Sequence, residues 1–252
     1  INLQVTPQEL VSQVEKVSAV ILMPGRLLYQ PLVEAAAQRS IPCVYFNAPN
    51  EGEAQNFVSP DYVGSSEVLG RAFHAAGRKN VLFLLGEAWH LSVSAQSRLR
   101  GLLVGLQYGV TRDIRLQIDV AGGVSIDCGR AAIRRILDEG GQMPDAIYTT
   151  GDFLAVGCVE ELTERGFSVP GDVSVAGGSG LELRRYSQPN LTRCAQPYEE
   201  IGNEVIAMIN RLSIARTAAA PGKVVPMGWI GGATTSAEEN KILMGEDRRK
   251  PA

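Results

Sequence analysis

Short apolar, β-rich runs alternate with helical patterns along almost all of this chain. The runs are Ala19 to Met23, Ile41 to Phe46, Val81 to Leu85, Ile114 to Val120, Ala146 to Thr149 and Val173 to Ala176. Strands buried on both faces read as continuous apolar stretches, and intervening helices supply the crossovers between parallel neighbours. The pattern therefore predicts βαβ units and an α/β fold. Thr6-Pro7-Gln8-Glu9 offers an N-cap, a Pro at the first helical position and a Glu where a capping box needs it, and Leu10, Val14 and Val17 follow as an apolar stripe. Further helices are expected at Leu28 to Gln38, Val63 to Ala76, Ser94 to Gln107, Ile126 to Glu139, Phe153 to Arg165 and Tyr198 to Leu212. Gly77, Gly109, Gly140 and Gly166 stand where left-handed C-terminal caps belong.

With 252 residues and 45% hydrophobic content, the chain can bury a large core, as one domain or two intimately linked ones. A net charge of -3 gives no overall attraction to a polyanion, so any nucleic-acid contact is expected to come from elsewhere. No apolar run reaches the roughly 20 residues that span a bilayer, and the first residues do not resemble a secretion signal. These features favour the cytoplasm. The chain opens at Ile1, which suggests that a leader or another domain has been removed. Cys43, Cys128, Cys158 and Cys194 lie far apart, with no Cys-x-x-Cys pair, and are expected to be free thiols, mostly buried. The segment from Ser236 to Ala252 is charged and lacks an apolar stripe, so it is expected to be mostly solvated.

Enzyme signatures are missing. His74 and His90 lie in no catalytic pattern, and Gly177-Gly-Ser-Gly-Leu181 lacks the final Gly of a nucleophile elbow. No phosphate-binding or dinucleotide-binding glycine motif is present, so neither a cofactor nor a metal is expected. Glu160-Glu161 and Glu199-Glu200 read as solvated helix faces, the second pair also favoured by a helix N-terminal dipole.

Four elements in order carry a resemblance. They are Gly151-Asp-Phe-Leu-Ala-Val-Gly157, Gly166-Phe-Ser-Val-Pro-Gly-Asp-Val-Ser-Val-Ala-Gly177, Pro189-Asn-Leu-Thr192 and Gln196-Pro-Tyr-Glu-Glu-Ile-Gly202. Together they resemble the signature of LacI/GalR-family transcription regulators. The resemblance implies a periplasmic-binding-protein-like (type I) pair of doubly wound parallel-sheet subdomains with a ligand cleft between them. Mapped here, residues 1–77 and 195–222 would form the N-terminal subdomain, and 78–194 and 223–235 the C-terminal one, with 236–252 as a charged tail. Only one short helix separates Ile1-Asn-Leu-Gln-Val5 from Ala19 to Met23. These runs therefore resemble the second and third strands of the family fold, and its first strand-helix unit is expected to be missing.

The same resemblance nominates an effector site. Ser94-Ala-Gln-Ser-Arg98-Leu-Arg-Gly101 matches a segment whose Arg projects into the cleft, and the rigid fork of Arg98 suits a carboxylate or phosphate. Replacing Arg98 with Ala is expected to abolish binding while leaving folding nearly intact. Trp89, Ser92 and Ser94 precede Arg98 on an expected strand-to-helix connection, where ligands of α/β sheets collect. Asp152 falls at a helix start, where capping competes with ligand contact. Ser179 stands where the family commonly carries a carboxylate, and Val124 where it carries an aromatic ring. A site that keeps its cation and loses an acid and a ring favours an anionic sugar-like effector. The implied function is the ligand-sensing and dimerisation core of a DNA-binding transcriptional regulator, a homodimer reaching operator DNA through an N-terminal headpiece outside this sequence. The alternative is a solute-binding protein of a sugar ABC transporter.

Overall fold

A computed structural model describes residues 7–14, 16–22, 26–46, 56–86, 93–111, 113–180, 189–215 and 219–245. The chain divides into two compact units, residues 1–60 with 197–225, and residues 61–196 with 226–252. Ile1 to Val5 lies outside the described residues.

The first unit holds a parallel sheet in the order β1 (Val20–Leu22), β2 (Cys43–Phe46), β3 (Phe57–Pro60), β9 (Lys223–Val225). Its helices are α1 (Pro7–Val14), α2 (Arg26–Gln38) and α7 (Tyr198–Ala215). Alternation along β2 divides the core. Cys43 and Tyr45 pack with Val14, Leu32 and Ala36, whereas Val44 packs with Ile201, Val205 and Met208 of α7. Among the described residues β1 pairs with β2 alone.

The second unit holds a six-stranded sheet in the order β10 (Gly228–Ile230), β8 (Thr192–Ala195), β7 (Ser174–Gly177), β6 (Ala146–Thr149), β4 (Asn80–Leu85), β5 (Arg115–Val120). All its pairings are parallel except that of β10 with β8, a departure from an all-parallel expectation. Helices α3 (Tyr62–Ala75) and α4 (Val93–Gly105) pack against each other, as do α5 (Ile126–Asp138) and α6 (Asp152–Glu164). Phe83 and Leu85 face the α3/α4 cluster, and Leu82 and Leu84 face the α5/α6 cluster. Both faces of the sheet are thus covered. The order reverses at β4: the chain steps outward to β5, then returns across β4 to β6. That switch point is where an open α/β sheet forms a crevice at its carboxyl ends.

Each helix pair meets through glycine. A Cβ on Gly101 would stand 2.1 Å from the Val63 carbonyl oxygen, and one on Gly157 would stand 2.0 Å from that of Ile126. The tight α3/α4 contact corrects the expected subdomain boundary. Because α3 packs on α4, the first unit ends at Pro60 rather than at residue 77, and the later crossings fall after Gln196 and Val225. The expected glycine caps at Gly77, Gly109, Gly140 and Gly166 all have positive φ, from 69° to 85°.

The charged tail requires a second correction. Residues Ala237–Leu243 form α8, opened by a capping box between Ser236 and Glu239, and Glu239 is buried. Its carboxylate accepts hydrogen bonds from Arg78 Nε at 3.1 Å and Ser174 Oγ at 2.6 Å, which fix the segment to the second unit. No described helix is long and apolar enough to cross a membrane.

Candidate ligand-binding site

The carboxyl ends of β4, β6 and β7 meet at the switch point of the second unit. Their connections are tied together there: Gly86 N donates to Thr150 Oγ1 at 3.2 Å, Thr150 N to the Leu84 carbonyl at 3.0 Å, and Thr149 Oγ1 to the Gly151 carbonyl at 2.7 Å. Arg98, from the second turn of α4, reaches this end of the sheet. Its Nη2 donates to the Gly178 carbonyl at 2.6 Å, and its guanidinium carbon lies 4.2 Å from the centre of the Tyr62 ring, a cation–π distance. Gly178 makes the approach possible, because a Cβ there would stand 2.7 Å from the Thr149 carbonyl oxygen and 3.3 Å from Arg98 Nε.

Tyr148 lies beneath the guanidinium. Its hydroxyl is 3.0 Å from Ser66 Oγ. Burial pushes its pKa up to about 12, against the opposing pull of the Arg98 charge, so the phenol stays protonated at neutral pH.

Asp152 and Ser179 form a reciprocal pair. Ser179 N donates to Asp152 Oδ1 at 3.0 Å, and Asp152 N donates to Ser179 Oγ at 2.9 Å. This corrects the capping assignment. Gly151 is the N-cap residue of α6 and offers no side chain, so the first N–H is satisfied from outside by Ser179, and the buried Asp152 carboxylate holds the chain after β7.

Arg98 also departs from expectation, being only 4% exposed. Packed against Tyr62 and Tyr148, it is part of the unit's interior, so its removal costs packing as well as charge. Among the described residues no carboxylate forms an ion pair with it. Two acids act on the neighbouring Cys194 thiol, Asp152 and Asp61, but Asp61 Oδ1 accepts the Gly64 N–H at 2.8 Å and caps α3. A buried guanidinium held by a carbonyl and a ring face remains short of negative charge.

Of the other nominated residues, Ser94 sits half-buried in the first turn of α4. Val124, 59% exposed, follows β5, and its Cγ1 lies where a Cβ on Gly86 would fall, 2.5 Å away. Trp89 and Ser92 lie outside the described residues. Tyr62 and Tyr148 escaped sequence reasoning. Tyr148 lies within the apolar strand β6 and reads as core, and Tyr62 has no local signal beyond the helix-capping Asp61 before it.

The fold is that of a two-unit α/β protein with a buried arginine, Arg98, at the carboxyl end of the second sheet. Residues 71–235 match the model of the periplasmic binding protein-like domain, and the chain belongs to that family, in the form of a LacI/GalR effector-binding core. It is 34% identical over 112 residues to the HTH-type transcriptional repressor PurR of Edwardsiella ictaluri, a match covering 44% of this chain and 32% of PurR. The match thus spans about a third of that repressor's length. Among solved structures, the fold is similar to a LacI family transcriptional regulator from Enterococcus faecium with bound ribose (TM-score 0.74, 19% identity, 92% of this chain and 84% of the other). It is also similar to a LacI-family sugar-binding transcriptional regulator from Escherichia coli complexed with phosphate (TM-score 0.75, 23% identity, 91% and 81%).

Proposed function

We propose that this chain is the effector-sensing and dimerisation core of a cytoplasmic LacI/GalR-type transcriptional regulator, and that its effector is a small anionic sugar derivative. The observation that carries the reading is Arg98, a buried guanidinium at the switch point with no carboxylate partner among the described residues. A ligand carboxylate or phosphate supplies the missing charge in a bidentate geometry that arginine favours. The buried, protonated Tyr148 and the Tyr62 ring hold the fork in place beforehand, which lowers the ordering cost of binding. Ser94, Val124, Asp152 and Ser179 flank this position, with Trp89 and Ser92 assigned to its rim from the resemblance. Ligand binding biases one arrangement of the core in a homodimer and so alters how N-terminal headpieces engage operator half-sites. The same family structures that contain ribose or phosphate support a sugar-like or anionic ligand. The repressor similarity disfavours the solute-transport alternative. It also gives no support to catalysis.

The test is a thermal-shift screen against neutral sugars, sugar acids, sugar phosphates and purines at two salt concentrations. A ligand at a hundred times its Kd stabilises the native state by about 2.7 kcal/mol. A salt-sensitive response to anions that disappears in Arg98→Met is the expected result. A response confined to neutral ligands and unchanged in Arg98→Met would overturn the reading.

A further inference from the structure

Exposed apolar side chains of the second unit gather at one edge of its sheet. Among the described residues this unit exposes seven large ones, and six of them, Val104, Tyr108, Val110, Ile118, Val120 and Val124, fall between the end of α4 and the loop after β5. Single exposed apolar residues need no explanation, but a concentration of this kind marks an interaction surface. β5 is the terminal strand of the six-stranded sheet, and among the described residues it pairs with β4 alone, from Arg115 to Val120.

The backbone groups of β5 alternate in direction. Arg115 N donates to the Lys79 carbonyl and Ala121 N to that of Leu85, so the odd-numbered residues face β4, and Leu116, Ile118 and Val120 turn their N–H and C=O groups outward. Val120 N is taken by Asp119 Oδ1 at 2.7 Å, which closes that end of the edge. Leu116 and Ile118 are therefore the outward positions of the strand left open among the described residues. Residues paired in an antiparallel ladder exchange both bonds. A second copy of β5 centred on Gln117 sets Leu116 opposite the partner subunit's Ile118, and Ile118 opposite the partner subunit's Leu116, so both open positions are used. A slip by one residue would set outward groups against inward ones.

The side chains agree with that register. Leu116, Ile118 and Val120 lie beside Val81, Phe83 and Leu85 of β4 on the α3/α4 face, so Leu116 and Ile118 of the two copies form one apolar row. On the other face Arg115 falls opposite the partner subunit's Asp119. Arg115 bonds the amide oxygen of Gln142 and meets no carboxylate among the described residues, whereas Asp119 carries the negative charge of this edge beside Arg135. Opposite charges thus face each other at both ends of the ladder.

We infer that β5 is the homodimer surface of the second unit, two copies joining their edges antiparallel about Gln117 into one continuous sheet. This names a surface for the dimer proposed above and rests on that reading of the chain as a homodimer. A two-fold axis through Gln117 makes the contact isologous and closed, so pairing stops at two copies. It also covers a strand edge that otherwise recruits other chains.

Sedimentation equilibrium of the parent chain and Ile118→Pro tests this, together with oxidative cross-linking of Gln117→Cys in a Cys128→Ser background that removes the partly exposed thiol. Ile118 N points away from β4, so proline there deletes an intermolecular donor and leaves the intramolecular ladder whole. The parent is expected to be a dimer, and Ile118→Pro to raise its dissociation constant at least about tenfold through loss of one hydrogen bond from each copy, with an unchanged circular dichroism spectrum. Gln117 faces itself across the two-fold at a non-hydrogen-bonded pair, where Cα atoms stand about 4.5 Å apart and within disulfide reach, so oxidation of Gln117→Cys gives a covalent dimer. A dimeric parent that Ile118→Pro leaves unchanged, with no cross-link at Gln117→Cys, overturns the β5 surface and leaves the dimer reading standing. A monomeric parent that yields no cross-link overturns both. If Ile118→Pro fails to fold, the cross-link alone decides.

Discussion

Replacing Glu239 with Ala measures how firmly the charged C-terminal segment belongs to the fold. The carboxylate is fully buried and has three donors: Arg78 Nε at 3.1 Å, Ser174 Oγ at 2.6 Å and the Ser236 N–H at 2.5 Å. The Arg78 side chain is itself only 13% exposed. Breaking a buried pair from one side costs about 3–5 kcal/mol, because the surviving charge stays buried. Arg78 Nη2 keeps the Pro170 carbonyl at 2.9 Å and Ser174 Oγ at 2.7 Å, which puts the electrostatic loss near the lower end of that range. Loss of the reciprocal capping box at the start of α8 adds about 0.5–1 kcal/mol. The total is about 4 kcal/mol, and with a urea slope of about 2–3 kcal/mol per molar the unfolding midpoint falls by about 1–2 M. Trp229 packs in the same cluster as Leu243 of α8, so tryptophan fluorescence during a urea titration reports the loss. Glu239→Gln, which keeps the shape but turns an amide N–H toward donors, falls between parent and Ala. A midpoint for Glu239→Ala within 0.3 M of the parent, a loss of under about 1 kcal/mol at that slope, would refute the docking of α8 through this carboxylate.

Three further outcomes follow from the packing and charge arrangement. Native protein should react rapidly with a thiol reagent at Cys128 alone, because Cys43, Cys158 and Cys194 are buried and burial raises their pKa values; four fast thiols would contradict the core assignment. Glu161, hydrogen-bonded by Arg134 and Arg165, has its pKa held below the ordinary 4.5, so its contribution is present above that pH and lost as pH falls through the lowered value. Glu161→Gln should therefore flatten the acid limb of a stability-against-pH curve, and an unchanged slope would remove Glu161 from the cause. Gly101→Ala should destabilise the second unit by about 1–3 kcal/mol, since the new methyl meets the Val63 carbonyl at 2.1 Å; a denaturation midpoint equal to the parent's would show that α3 and α4 separate freely.

Much of the fold was legible because its long elements are locally consistent. All six apolar runs named from the sequence overlap a strand, and the helices from α2 to α7 fall within a few residues of their expected spans. The elements that escaped are those whose stability is borrowed. Phe57-Val-Ser-Pro60 is four residues ending in Pro, and only pairing with β2 and β9 makes it a strand. β8 is a four-residue strand with Arg193 in its interior and no apolar alternation to announce it, and β10 exists through its antiparallel register with β8. α8 looks solvated from its Glu238-Glu239-Asn240-Lys241 text, yet Glu239 is held by an arginine 161 residues away. Charge counted along the chain could not reveal that pairing.

The site was legible only as far as its motifs reach. Asp152, Ser179 and Arg98 were named from sequence and do converge on the Gly177-Gly178 end of β7, but the motif text did not reveal that Asp152 and Ser179 satisfy each other. Nor did it reveal that Arg98 is buried against two tyrosines. The way this chain treats its other arginines sharpens the meaning of that burial. Arg130, Arg134 and Arg165 share Glu161 and its neighbours across the α5/α6 pair, and Arg78 has Glu239. Acidic side chains outnumber basic ones, 27 to 24, so composition does not force any guanidinium to go without a carboxylate. Across the α5/α6 pair and under α8, an acid meets each of these arginines. At the end of β7, Arg98 is buried without a carboxylate partner among the described residues, and the adjoining Asp152 and Asp61 each accept a backbone N–H. The anionic effector proposed for this chain would supply the charge that Arg98 lacks among the described residues.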